Sequence, residues 1–176
     1  MKKILIPVLI IIACVLADMF TKGALIYLIT GGVPLAGAAM DMIPYSYMMA
    51  HVTDWFNIVF TWNPGTSFSM FRGVGLSAPM VMVLLTGAII AWMGWYLFAR
   101  ARTWERVPIA IIVGGALGNL IDRVRFGAVV DFLDFHIGGW HWPAFNVGDI
   151  CICTGVGLYL LMWYIARRKC AQCKGM

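Results

Sequence analysis

The chain has 176 residues, 62% of them apolar and only 12% charged, with a formal net charge of +5. A soluble domain carries about 25% charged residues, so this composition excludes an ordinary soluble enzyme and points to a protein that crosses the membrane several times. The basic residues gather on one side of the predicted spans, so the positive balance reads as a topology signal and no nucleic-acid partner is expected.

A bilayer-crossing helix needs roughly 20 mostly apolar residues. The segments 4–22, 74–99, 107–126 and 149–166 meet that requirement. They predict an α-helical integral membrane protein of a single domain, 1–176, with outer loops at 23–73 and 127–148. Lys2 and Lys3 precede the first span, Arg100, Arg102 and Arg106 lie between the second and third, and Arg167, Arg168, Lys169 and Lys174 follow the fourth. These are 9 of the 13 basic residues, and only Glu105 of the 8 acidic ones joins them. Such loops stay cytoplasmic, which places both termini inside and both long loops outside.

The first span opens like a secretory leader with a lipidation cysteine at Cys14. The chain stays apolar beyond Cys14 and no polar domain follows, so it reads as a plain membrane helix. Asp18 and Lys22, spaced i, i+4, share one face near its outer end. They are either a mutually neutralised pair or an anchor for a loop or a substrate backbone.

The first outer loop begins with Gly31–Ala50, rich in Gly, Pro, Met and Ala, which predicts irregular structure. Trp55–Trp62 is aromatic and β-branched and predicts a strand. Pro64 and Gly65, within Asn63-Pro64-Gly65-Thr66, suit the centre of a type II turn, and Thr66–Phe71 is expected to return as a second strand. A small extracytoplasmic sheet rich in Trp and Phe would rest at the membrane surface.

Gly114, Gly115 and Gly118 in the third span permit close helix packing. Asn119 follows them, and an amide in an apolar helix needs partners. Asp122 and Arg123 can neutralise each other or bind loop carbonyls. The second outer loop is aromatic and predicts a short amphipathic helix or loop lying on the interface.

Asp122, Asp131, Asp134 and Asp149 crowd the mouth between the third and fourth spans, where carboxylates are costly and tend to be functional. Asp149 suits an N-terminal helix cap. Asp131 and Asp149 also flank one loop between adjacent helices, so they can meet. Close carboxylates share a proton: the ionised one takes a proton from water, and the protonated one polarises a carbonyl. This is the aspartic-protease arrangement, and it requires no metal or cofactor. His51, His136 and His141 have no serine or cysteine in triad context and no metal-ligand spacing. Cys170 and Cys173 form one CxxC, half of a zinc site. Asn146-Val147-Gly148-Asp149 lacks the first glycine of the G-x-G-D intramembrane protease signature. Two other classes compete: a non-enzymatic membrane binding or transport protein with an Asp/Asn-lined outer site, and a membrane redox protein using Cys151, Cys153 and the tail cysteines. Clustering of the ionisable groups at the outer end, away from the bilayer midplane, favours an interfacial site over a transport path.

Taken in order, these pieces resemble the lipoprotein signal peptidase (signal peptidase II) family of bacterial membrane aspartic proteases. Asp18–Lys22 is similar to D-x-x-[ST]-K, Asn63–Phe68 to N-x-G-x-[AS]-F, Gly114–Arg123 to G-G-A-x-G-N-x-x-D-R followed by Val129-Val130-Asp131-Phe132, and Phe145–Asp149 to F-N-x-A-D. Met19, Pro64 and Gly148 depart mildly from those patterns, and Gly31–Ala50 looks like a local elaboration. The resemblance implies a catalytic dyad of Asp131 and Asp149. It implies that Asn119 and Asn146 hold the substrate backbone or orient the dyad, and that Asp18, Lys22, Asn63, Gly115, Asp122 and Arg123 support the site. It leaves Asp134 without a role. It further implies a diacylglyceryl-prolipoprotein substrate cut just before the lipidated cysteine, contact with membrane lipid, inhibition by globomycin-type peptide antibiotics, a monomer, and a place in the bacterial cytoplasmic (inner) membrane with the site at its outer face.

Overall fold

A computed structural model describes residues 2–31, 46–65 and 78–174. Its helices are α1 (Lys2–Thr30), α2 (Ala78–Ala99), α3 (Arg106–Phe126) and α4 (Val147–Lys174). All four are long and apolar enough to cross a membrane, and the chain is a multi-pass membrane protein.

The expected first span stops at residue 22, but α1 continues to Thr30. Its extension is apolar and finds a partner: Leu25 is buried, with Ile26 and Ile29 packed beside it. α1 also runs unbroken past Cys14. The first four residues of the expected second span, 74–77, lie outside the described residues.

α1 and α3 run side by side in the same direction. Arg106 meets Lys3, a Cβ on Gly114 would touch Cys14, one on Gly118 would touch the Asp18 carboxylate, and Asp122 meets Lys22. α4 returns antiparallel, with a Cβ on Gly115 meeting the Gly148 carbonyl and Cys151, and one on Gly155 meeting Ile112 and the Pro108 carbonyl. The glycines thus serve α1 and α4 from different faces of α3, and their missing side chains let the backbones close in. α2 packs on α3 through Leu97, Ala101, Ile109, Ala110 and Val113. Gly127, at φ 76°, ends α3 in a left-handed cap whose N–H bonds the Arg123 carbonyl.

Beyond the helix ends lies an antiparallel sheet in the order β1 (Ser46–Thr53), β2 (Phe56–Asn63), β3 (Val129–Ile137), β4 (Trp140–His141). β2 is the strand anticipated at Trp55–Trp62. Two expectations are corrected. The loop 127–148 holds two strands and no helix of its own, because alternate residues Val130 and Phe132 face Phe60, Trp62 and Leu25 in one apolar cluster while β2 supplies the ladder. Residues 46–50, inside the stretch expected to be irregular, belong to β1. The anticipated strand Thr66–Phe71 lies outside the described residues.

β2 pairs with β3 as Ile58↔Leu133 and then Thr61↔Asp131, so β2 carries one extra residue there. A bulge re-aims the chain after it. Asn57 before the bulge and Phe60 and Trp62 after it all turn to the buried face. Thr61 and Asn63 are left on the side of Asp131.

Candidate active site

Two carboxylates are joined through Asn146 where β3 passes the start of α4. Asp131 stands in β3 and is buried, at 2% exposure; Asp149 is in the first turn of α4 and half-buried.

Asn146 joins them. Its carbonyl accepts from the Ile150 N–H at 3.2 Å, so it caps α4. Its Oδ1 accepts from the Asp149 N–H at 2.9 Å, and its own N–H donates to Asp149 Oδ2 at 3.3 Å. This is a reciprocal capping box with Asn and Asp in place of the usual Ser/Thr and Glu. The expected N-terminal role of Asp149 is therefore real, and it coexists with a link to Asp131 through the same asparagine. The amide Nδ2 of Asn146 remains free for Asp131 Oδ1, which it reaches at 2.7 Å. Asn63 Nδ2 donates to the other oxygen, Asp131 Oδ2, at 2.9 Å. Asn63 is itself held by accepting the Gly65 N–H at 3.0 Å, and Gly65 has φ 74°, as the anticipated Pro-Gly turn requires. Asn119 Nδ2 donates to Asp149 Oδ1 at 2.8 Å. Each aspartate thus has both oxygens directed by amide donors.

Behind Asn119 lies a buried ion cluster. Lys22 Nζ donates to Asn119 Oδ1 at 2.9 Å, to Asp18 Oδ2 at 2.6 Å, and sits 3.0 Å from Asp122 Oδ2. Asp18 Oδ1 accepts the Gly148 N–H at 2.7 Å, and Asp122 Oδ2 accepts the Val130 N–H at 3.3 Å. The pairing of Asp18 with Lys22 follows the i, i+4 spacing. The possible pairing of Asp122 with Arg123 is corrected: residues adjacent in a helix point about 100° apart, so Asp122 turns to Lys22 while Arg123 points elsewhere. Arg123 lies within electrostatic reach of Asp149, Asp131 and Asp122, yet it has no carboxylate within 4.0 Å among the described residues, and its Nε is buried without a partner.

Burial pushes the Asp131 carboxyl up to about 6. The neighbouring Asp149 charge adds to the rise, against the amide bonds from Asn63 and Asn146 and the charge of Lys22. Among the described residues, no group of three or more His, Cys, Asp or Glu is placed to hold a metal ion. The side chains of the Cys170/Cys173 pair fall outside the described residues.

Asp134, three positions along β3, lies on the opposite face from Asp131 because side chains alternate in a strand. It accepts from Asn57 Nδ2 at 3.0 Å and meets His141 Nδ1 at 2.9 Å. It ties β2 and β4 together and is not part of the acid pair. The sequence reading missed this tie, and also the Gly148 amide bond to Asp18. Period-two alternation in VVDFLDFHI was the signal available for the first; a backbone donor leaves none for the second.

A multi-span bundle whose outermost helix turn and overlying sheet hold two amide-oriented carboxylates defines an integral-membrane hydrolase of the acid-pair type. Residues 10–165 match the family model described as Signal peptidase (SPase) II, and the chain belongs to that family of membrane proteases. It is 42% identical over 132 residues to the lipoprotein signal peptidase of Anaplasma phagocytophilum (strain HZ), covering 70% of this chain and 84% of that one. It is 35% identical over 164 residues to the lipoprotein signal peptidase of Syntrophus aciditrophicus (strain SB), covering 84% and 97%. A solved bacterial membrane enzyme superposes with a TM-score of 0.68 at 26% identity, covering 90% of this chain and 92% of the other. Family membership sets aside the non-enzymatic binding or transport reading.

Proposed function

We propose that Asp131 and Asp149 are the catalytic dyad of an aspartic endopeptidase that removes the signal peptide from diacylglyceryl-modified prolipoproteins, cutting before the lipidated cysteine. The observation that carries this reading is Asn146, which caps the helix bearing one aspartate and donates to the other. Asp131, buried and pushed up to about 6, keeps its proton below that pH. Asp149 is half-buried, and donors from Asn119 and Asn146 hold its two oxygens.

In this mechanism Asp149 takes a proton from a water as its oxygen bonds to the scissile carbonyl carbon, and Asp131 gives its proton to the carbonyl oxygen. Collapse of the resulting gem-diol returns a proton to Asp131 and breaks the C–N bond, and Asp149 passes its proton to the leaving amine. The step needs no metal or cofactor. Asn119, Asn146 and Asn63 orient the dyad. Lys22, Asp18 and Asp122 fix Asn119 and the two chain segments, Gly115 lets α4 approach, and Arg123 is left to meet a substrate carbonyl. Phe135 shares a face of β3 with Asp131 and, with Trp55, Trp140, Trp142 and Phe145, lines a hollow of about 490 Å³ that suits an apolar substrate.

The whole chain acts as one domain and as a monomer in contact with membrane lipid. The cationic loops place both termini in the cytoplasm and the dyad at the outer face of the bacterial inner membrane, where a lipidated cysteine following an apolar signal helix would lie. Globomycin-type peptide antibiotics would occupy the same site. The test is cleavage of lipidated and unlipidated precursor, with and without globomycin, by wild type, Asp131→Asn and Asp149→Asn. Wild type should cut only the lipidated form and be inhibited, and both variants should be inactive. Full cleavage by either variant would sink the dyad.

A further inference from the structure

The end of the bundle away from the sheet carries a second built feature. Pro7 lies inside α1 and has no N–H. The carbonyl of Lys3, four residues earlier, therefore lacks its helical partner. Arg106 takes that place: Nη1 donates to the Lys3 carbonyl at 2.8 Å, and Nε donates to the Ala101 carbonyl at 3.2 Å. The proline thereby helps hold the guanidinium between the start of α1 and the start of α3.

Those bonds use two of the five N–H donors of the guanidinium. Among the described residues, no carboxylate lies within 4.0 Å of Arg106 or Lys3. Glu105 is buried and spent on the Tyr96 hydroxyl at 3.1 Å and the Arg102 N–H at 2.6 Å. The cations line a cleft of about 240 Å³ with Ile6, Pro7, Thr103 and Val107.

We propose that this cleft binds an anionic phospholipid, with the phosphate against Lys3 and Arg106 and an acyl chain along Ile6, Pro7 and Val107. Charge complementarity selects the headgroup, since basic pockets between spanning helices take lipid phosphates. A lipid fits better than a soluble polyanion because Ile6, Pro7 and Val107 give the cleft an apolar wall on helices long and apolar enough to cross a membrane. The site lies far from the dyad along α3 and does not depend on the peptidase reading.

The experiment is native mass spectrometry of the full chain in detergent with phosphatidylglycerol or phosphatidylcholine of matched acyl chains. Lys3→Gln leaves both Arg106 bonds in place, because they go to backbone carbonyls. The control is Arg167→Gln with Arg168→Gln, whose guanidiniums stack on Trp163 and Tyr164 at the same end of the bundle. Wild type should retain phosphatidylglycerol preferentially, Lys3→Gln should weaken retention about fivefold, and the control should leave it unchanged. The proposal is overturned if wild type shows no preference, if the control loses as much as Lys3→Gln, or if inorganic phosphate alone displaces the lipid.

Discussion

Lys22 Nζ lies 2.9 Å from Asn119 Oδ1, the acceptor end of the amide whose donor end holds Asp149. An amide can present either end, and the ammonium decides which end meets the aspartate. The same ammonium compensates Asp18 and Asp122, both at 4% exposure or less. Lys22→Met would leave those carboxylates buried and unpaired, a loss of about 3–5 kcal/mol. The expected outcome is a large fall in thermal stability in detergent. Asn119→Ala, which removes the donor but not the ion cluster, should lower kcat while moving the melting temperature much less.

The raised Asp131 carboxyl gives the enzyme a pH signature. Its carboxyl goes from the ordinary 3.8 to about 6 on folding, so the folded state binds more protons in that interval. Stability contributed by this group is therefore present at low pH and falls as pH rises from about 4 to 6, by roughly 3 kcal/mol in all. Asp131→Asn removes the titration, so the melting temperature of the variant relative to wild type should climb across that window. Wild-type kcat should decline above about pH 6 as the acid is lost. A flat difference in melting temperature would contradict the burial of an ionisable Asp131.

The helix contacts make a sharp steric prediction. A Cβ at Gly118 would run into the Asp18 carboxylate, and one at Gly148 would lie 2.9 Å from the Gly115 carbonyl and 3.1 Å from Asn119 Oδ1. Gly118→Ala and Gly148→Ala should each cost about 1–3 kcal/mol and lower activity by displacing Asp18 or Asn119. Gly87→Ala, where a Cβ meets nothing within 4 Å, should change neither measurement.

Asp134 supplies the contrast to the dyad. Burial alone would raise its carboxyl, but hydrogen bonds from His141 and Asn57 and the nearby histidines hold it below the usual range. Its contribution to stability is therefore full above about pH 4 and is lost as pH falls below that value. Asp134→Leu should strand the buried Asn57 amide and cost about 1–3 kcal/mol. Cleavage per folded molecule should survive, which a kcat measured alongside urea unfolding would check.

Much of this protein is local and was legible in the chain. Apolar runs of membrane length specify the spans, because hydrocarbon demands internally bonded helices, and Trp55–Trp62 announced a strand. The ordered motifs around Asp18, Asn119, Asp131 and Asp149 led to the family. What the sequence could not decide was pairing. Nothing in the order of residues says that Asp122 turns to Lys22 rather than to Arg123, or that Val129–Ile137 pairs with β2. Those choices depend on three helices closing over glycines and on a bulge that resets the phase of β2. The sequence alone determined which groups are expensive to bury; only the tertiary structure decided which partner relieves each of them, because a buried charge is satisfied by proximity in space, across 100 residues from Lys22 to Asp122.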